Sequence, residues 1–270
     1  MSSARRPLKA LGQNFLVDGN IIEKIIRSAD VHPEDNVLEI GPGRGALTEI
    51  LAERAGRLVL VEFDHALAAG LKRRYAHDPR VTVIDGDVLA VDLAEILSGA
   101  DTWKVVANLP YNISTAVLFR LQEVRGKLSR MILMLQKEVG DRLVAPPDCK
   151  EYGVTTVLLG LWFDMRREFL VHPGCFHPSP KVDSAVLRFV PLAAPRVAVG
   201  NEDVFRRVVK SAFAMRRKTL INCLKAAELV PFDELPQIMA DCGIEGKRRG
   251  ETLSLDEFAA LSRRFSELIA

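Results

Sequence analysis

Val37-Leu38-Glu39-Ile40-Gly41-Pro42-Gly43-Arg44-Gly45 runs from a short apolar stretch straight into three glycines spaced two apart. Such a run reads as a buried strand that ends in a turn where backbone rather than side chains approaches a ligand. In a doubly wound sheet that turn lies beyond the carboxyl end of the first strand, where ligands bind. Working outward, an amphipathic helical pattern at Ile21, Ile22, Ile25 and Ile26 precedes it. After it, strands are expected at 58–61, 81–84, 103–107 and 131–135, with helices at 65–75 and 113–121. The stretch 154–169 reads as helix in its first half and is ambiguous beyond, and 185–190 alternates like a late edge or hairpin strand. Strand alternating with helix predicts an α/β fold, a doubly wound and mostly parallel sheet with helices on both faces.

Residues 1–190 then form the first domain. Pro191-Leu192-Ala193-Ala194-Pro195-Arg196-Val197-Ala198-Val199-Gly200 has two prolines and no helical cap, which reads as a linker over 191–200. The remainder, 201–270, reads as a small helical domain with helices at 205–224, 232–239 and 255–268, the last opened by a Ser254 and Glu257 capping box.

At 270 residues and 48% hydrophobic content the chain can bury a real core. Net charge is only +2, so bulk electrostatics do not announce a nucleic-acid partner, but 206–225 holds seven basic residues and no acid. Cys149, Cys175, Cys223 and Cys242 form no CxxC pair and are too sparse for a disulfide framework, which points to a reducing compartment. His172, Cys175 and His177 lack a second ligand pair at zinc spacing, so no metal is expected. No run is long enough to span a membrane, and a cytoplasmic protein is expected.

Two carboxylates fall where a nucleoside would sit. Glu62 ends the second strand, where it can accept ribose hydroxyls, and Asp87 follows the third, where it can accept from an adenine amine. Gly41, Gly43 and Ala46 also fit a dinucleotide fingerprint, so the glycines alone leave a nicotinamide enzyme open. Asn108-Leu109-Pro110-Tyr111 after the fourth strand favours a different chemistry. The Asn108 amide oxygen and the Leu109 carbonyl, ahead of Pro110, can accept both hydrogens of an exocyclic amine, while Tyr111 stacks on the base.

Those stretches, with Gln13-Asn14-Phe15-Leu16, Asn112-Ile113-Ser114, 176–184 (Phe-His-Pro-Ser-Pro-Lys-Val-Asp-Ser) and 213–220 (Phe-Ala-Met-Arg-Arg-Lys-Thr-Leu), resemble the ribosomal RNA adenine dimethyltransferase family, in its small-subunit kasugamycin-resistance branch. The resemblance spans nearly the whole chain. It implies a Rossmann-like class I methyltransferase sheet and an S-adenosylmethionine-dependent enzyme that dimethylates two adjacent adenosines in the hairpin loop near the 3′ end of small-subunit ribosomal RNA. It further implies that Gln13, Asn14 and Leu16 close over the cofactor, that Gly41 and Gly43 meet its methionine part, and that Glu62 meets its ribose and Asp87 its adenine. Asn108 touches cofactor and substrate, and Phe176 covers the base face opposite Tyr111. The implied partner is the RNA within a pre-mature small ribosomal subunit, met by a monomer.

As one helix, 205–225 would align Arg206, Arg207, Lys210, Arg217, Lys218 and Lys225 in a phosphate-facing stripe, with Arg216 apart. Lys247, Arg248 and Arg249 make a second patch, and Arg5, Arg6 and Lys9 a third. Two other readings compete: an antibiotic-resistance methyltransferase of large-subunit RNA, and a nucleic-acid-binding or assembly factor with little catalysis. Leu109 and Lys218 lean toward the small-subunit branch, and intact Asn108, Pro110 and Tyr111 lean toward catalysis.

Overall fold

In the computed structural model the described residues are 13–269. The chain divides into two compact units, one of Met1–Gly140 with Asp164–Pro191, the other of Asp141–Phe163 with Leu192–Ala270. The sequence reading put 141–163 with the first domain, whereas these residues group with the C-terminal helices.

The first unit is built on a seven-stranded sheet. Its strands are β2 (Asn36–Ile40), β3 (Arg57–Glu62), β4 (Val81–Asp85), β5 (Trp103–Asn108), β6 (Leu128–Gln136), β7 (Phe163–Val171) and β9 (Ser184–Pro191), in the order β4-β3-β2-β5-β6-β9-β7. Strands β2 to β6 pair in parallel, and β9 joins β6 antiparallel. Two short strands, β1 (Phe15–Leu16) and β8 (Phe176–His177), form a separate antiparallel ribbon. Helices α1 (Gly19–Ala29), α2 (Thr48–Arg54), α3 (His65–Arg74), α4 (Leu93–Ile96) and α5 (Ser114–Glu123) connect the strands. Both faces of the central strands are covered: Val37, Leu38, Leu60, Val105, Val106 and Leu133 are fully buried. Each such side chain contributes roughly 1.5–3 kcal/mol by leaving water.

Register decides where the chemistry falls. Ile40 sits opposite Val61 on one side and Ala107 on the other, and Glu62 sits opposite Asp85. The carboxyl ends of four parallel strands are therefore level, and the residues that follow, Gly41, Glu62 with Phe63, Asp87 and Asn108, emerge along one edge.

One strand departs from its expected position. The 185–190 run was read as an edge or hairpin strand, but β9 lies inside the sheet, with Ala185, Val186, Leu187 and Phe189 at 0% exposure. A strand apolar on both faces suits an interior place, while β7 at the edge carries exposed Arg166, Arg167 and Glu168, charges that discourage further pairing. The ambiguous 154–169 stretch resolves into helix α7 (Val154–Gly160) and the start of β7.

The second unit is mostly helical: α6 (Lys137–Leu143) runs into it, α7 belongs to it, and α8 (Glu202–Ala214), α9 (Leu220–Ala226), α10 (Leu235–Asp241) and α11 (Leu255–Ile269) follow. The single helix expected at 205–224 is broken. The chain turns at Met215 to Thr219, with the Lys218 N–H donating to the Met215 carbonyl at 2.8 Å. The cause lies in the 246–250 loop, whose Arg248 and Gly246 carbonyls accept the Leu220 and Ile221 N–H groups at 2.7 and 3.2 Å. A continuous helix would hold those donors internally; a new N-terminus needs outside acceptors, and this loop supplies them. Gly250 makes the approach possible, since a Cβ there would lie 2.5 Å from the Ala212 carbonyl oxygen. The expected linker is likewise tied down. Leu192 and Arg196 donate backbone N–H groups to the Trp162 and Leu161 carbonyls, and Val199, 3% exposed, accepts from the Ser262 hydroxyl. The α11 capping box forms as expected, Glu257 N–H to Ser254 Oγ at 3.2 Å and Ser254 N–H to Glu257 Oε2 at 2.8 Å. Among the described residues no helix is long and apolar enough to cross a membrane.

Candidate active site

Gly41, Gly43 and Gly45 all carry positive φ, at 67°, 59° and 87°, which side chains with a Cβ adopt only with strain. At Gly43 space matters as well: a Cβ would sit 3.1 Å from the Phe15 ring. That ring packs onto the glycine turn, and the Arg44 guanidinium lies over it, 4.4 Å from the ring centroid. The N-terminal ribbon is thus drawn against the strand exit by a residue, Phe15, that the sequence reading quoted only as part of a motif.

Glu62 organises the turn. Its Oε2 accepts the Gly43 N–H at 2.8 Å and its Oε1 accepts the Asp64 N–H at 2.8 Å, which fixes the plane of a carboxylate only 6% exposed. Burial raises its pKa, opposed by those backbone hydrogen bonds. Glu39, one strand inward and 1% exposed, is pushed up to about 8 by burial; the Thr48 hydroxyl, donating to Oε2 at 2.7 Å, pulls the other way, and nearby Glu62 adds to the rise. Sequence reading treated Glu39 only as part of the strand, because burial of a carboxyl has no signature in residue order.

Two adjoining clefts open along this edge, of about 330 and 270 Å³. Both are lined by Gln13, Gly41, Glu62 and Pro110. The larger continues past Asn14, Leu16, Gly43, Asn108, Leu109 and Tyr111. The smaller continues past Phe63, Gly86, Asp87 and Ile113. A long ligand lying across both would meet glycine backbone at one end, the Glu62 carboxylate in the middle and an apolar slot with a carboxylate at the other. That set of groups fits S-adenosylmethionine: an amino-acid end, a ribose diol and a purine. Phe63, 54% exposed at the smaller cleft, is an apolar side chain the sequence reading passed over. Asp87 accepts the Leu89 N–H on Oδ1 at 2.9 Å, which orients its carboxylate. Gln13 donates from Nε2 to Asp64 at 3.2 Å, linking the ribbon's approach to the start of α3.

Asn108 is held by its nitrogen. Its Nδ2 donates to the Asn14 carbonyl at 3.2 Å, so the amide oxygen is left to accept from an incoming group. Leu109 is 1% exposed, its N–H bonded to the Met134 carbonyl at 3.1 Å, so only its backbone carbonyl, not its side chain, is available for chemistry. Tyr111 lines the same cleft with its hydroxyl 2.7 Å from Ser184 Oγ, and burial raises its pKa. Ser184 is fully buried at the head of β9, within a stretch that sequence reading quoted without a role for it.

Phe176 is 3% exposed, paired with Leu16 in the β1–β8 ribbon and part of the core cluster that includes Leu16, Ile25 and Val186.

In the second unit, Arg206, Arg207 and Lys210 are exposed on α8, and Arg217 and Lys218 are exposed in the turn before α9. They do not form one helical stripe, because the helix ends at Ala214. Lys247 is exposed and lies 3.2 Å from Glu245. Arg248 departs from the expected patch: its guanidinium is turned inward, gripping both oxygens of Glu257 as well as the Thr252 hydroxyl and carbonyl, so its charge is spent on the fold. Arg5, Arg6 and Lys9 lie outside the described residues.

The comparisons agree with this geometry. Residues 5–265 match the family model for ribosomal RNA adenine dimethylase. A protein of Geobacter metallireducens named ribosomal RNA small subunit methyltransferase A is 58% identical over 97% of both chains. Its namesake in Geobacter sulfurreducens is 59% identical over 96% of this chain and 95% of its own. Among solved structures, a dimethyladenosine transferase from Plasmodium falciparum superposes with a TM-score of 0.80 at 25% identity, covering 92% of this chain and 95% of that one. The 23S rRNA methyltransferase ErmE superposes at 0.70 and 25% identity, covering 93% and 99%. With the family match spanning almost its whole length, the chain belongs to the ribosomal RNA adenine dimethylase family.

Proposed function

We propose that this chain transfers methyl groups from S-adenosylmethionine to the N6 amines of two adjacent adenosines in the 3′-terminal hairpin loop of small-subunit ribosomal RNA, giving N6,N6-dimethyladenosines within an incompletely matured small subunit. The observation that carries the reading is the Asn108 amide, locked by its nitrogen to the Asn14 carbonyl so that its oxygen serves the cleft it shares with Tyr111 and the glycine turn. The relatives at 58 and 59% identity, both named for the small subunit, support that RNA over large-subunit RNA.

Gly41 and Gly43 are assigned to the methionine end of the cofactor, Glu62 to the ribose hydroxyls and Asp87 to the adenine amine, with Gln13, Asn14 and Leu16 closing over it. When bound, S-adenosylmethionine supplies a methyl group on a sulfonium, an electrophile already activated. What this chain must do is prepare the nucleophile. Adenine's exocyclic nitrogen shares its lone pair with the ring; hydrogen bonds from its two hydrogens to Asn108 Oδ1 and the Leu109 carbonyl favour a pyramidal nitrogen with the lone pair directed outward. Tyr111 stacks on the base, which has swung out of the RNA. The proton released from the cationic product passes to water, which requires no strong base.

Arg206, Arg207, Lys210, Arg217, Lys218 and Lys247 are assigned to phosphate contacts that position the RNA while the cleft selects the base. A monomeric, cytoplasmic enzyme fits this reading. The test is nucleoside mass spectrometry after incubating S-adenosylmethionine and the protein with unmodified small subunits, naked small-subunit RNA or large-subunit RNA. Dimethyladenosine in the small-subunit samples alone is expected; product in large-subunit RNA would overturn the choice of RNA, and none anywhere despite cofactor binding would overturn catalysis.

A further inference from the structure

Tyr111 and Ser184 are 73 positions apart, yet their hydroxyls meet at 2.7 Å. Ser184 is at 0% exposure, and its backbone is fixed opposite Gln136 in the β6–β9 ladder, with the neighbouring Asp183 carbonyl accepting the Lys137 N–H at 2.9 Å. A hydroxyl buried at the head of a paired strand is a rigid anchor. The aromatic ring it holds is on the cleft that Asn108 also lines. Tyrosine rather than phenylalanine is therefore required for more than stacking area: the phenol hydroxyl ties the ring's tilt to the sheet.

We infer that Ser184 is a positioning residue which acts through Tyr111 and matters most for the second methyl transfer. The inference rests on the reading of Asn108, Leu109 and Tyr111 given above. In the first transfer the amine has two hydrogens, and both acceptors, Asn108 Oδ1 and the Leu109 carbonyl, hold it. The monomethylated amine has one hydrogen left, so one of those acceptors loses its donor. In the second transfer the N6 lone pair forms the new N–C bond as the C–S bond breaks, the bonding pair goes to sulfur, and the last N6 proton leaves for water. With one hydrogen bond fewer, orientation of the base depends more on the stacked ring, and a ring free to tilt costs the second step more than the first. Ser184 thereby biases the enzyme toward dimethylated rather than monomethylated product.

The experiment is a single-turnover time course on unmodified small subunits, resolving adenosine, N6-methyladenosine and N6,N6-dimethyladenosine, for wild type, Ser184→Ala, Tyr111→Phe and the double variant. S-adenosylmethionine affinity and melting temperature are measured alongside. Loss of one hydrogen bond predicts that the ratio of second-step to first-step rate constants falls roughly two- to tenfold in each single variant. The double variant should fall no further, since either substitution already breaks the same bond. Tyr111→Phe removes the bond without altering the buried strand, so a Ser184→Ala protein that fails to fold still leaves the inference exposed. An unchanged ratio in Tyr111→Phe, or equal losses in both steps, would overturn it. Absence of dimethyladenosine from the wild type itself would instead overturn the reading on which it rests.

Discussion

Replacing Glu39 by Gln should stabilise the protein at neutral pH and flatten its dependence on pH. Glu39 is 1% exposed and its carboxyl is raised to about 8 by burial. In the unfolded chain the same group titrates near the ordinary glutamate value of 4.5. Between those two values the native state holds a proton that the unfolded state has released. Native stability contributed by this group is therefore intact below the unfolded pKa and is lost progressively as pH rises toward 8. At pH 7 the separation from 4.5 corresponds to about 3 kcal/mol, at 1.36 kcal/mol per unit. Gln is neutral in both states, matches the shape, and keeps an oxygen to accept the Thr48 hydroxyl now bonded at 2.7 Å. Its second amide hydrogen needs a partner the acid did not, and an unmet donor would return about 1 kcal/mol of that gain. The measurement is urea unfolding of both proteins at pH 5, 6, 7 and 8. The variant should gain about 2–3 kcal/mol at pH 7, less at pH 5, and show a shallower fall in midpoint toward alkaline pH. Parallel pH profiles for the two proteins, or a variant destabilised at pH 8, would refute a protonated Glu39 under the glycine turn.

Asn108→Ala removes the amide oxygen from the cleft and the bond to Asn14; it should lower the single-turnover methyl-transfer rate roughly 10²–10³-fold with the fold kept, and near-normal turnover by a folded variant would sink the mechanism. Charge reversal at Arg217 and Lys218 should weaken binding to small subunits and reduce the salt slope of binding by roughly two, leaving cofactor affinity unchanged; an unaltered slope would remove both residues from the phosphate contacts. Arg248→Ala should cost about 1–2 kcal/mol of stability without lowering RNA affinity, because its guanidinium serves Glu257 and Thr252. Arg248 is also the largest cause of the lowered Glu257 pKa, a contribution present above the unfolded value and lost as pH falls through the folded one. The variant should accordingly lose less stability than wild type on acidification, and an RNA-binding defect in a fully stable variant would contradict this assignment.

The sheet and the cleft were legible because strand exits leave local marks. Ile40 before Gly41, Val61 before Glu62 and Ala107 before Asn108 each change from apolar to polar or glycine at the sheet edge, and parallel register then places them side by side. What sequence order cannot carry is contact between distant segments. The β9 strand looked like an edge because its alternation is local, whereas its place between β6 and β7 depends on pairing partners. The helix break after Ala214 is imposed by carbonyls of Gly246 and Arg248, more than 30 positions on.

The basic residues show the same limit from the side of charge. Counting cations along 206–225 treats each as available, but availability is decided by what acids the fold brings near. Arg206, Arg207 and Lys210 remain exposed on α8, while Arg216 donates to the Lys150 carbonyl at 2.8 Å and lies within 3.8 Å of Glu251. Arg248, adjacent in sequence to Lys247, is turned the opposite way by Glu257, whose own position is set by capping α11. A carboxylate committed to a helix N-terminus thus pairs with one half-buried arginine, and the α11 cap and the outline of the cationic surface in this unit are a single arrangement.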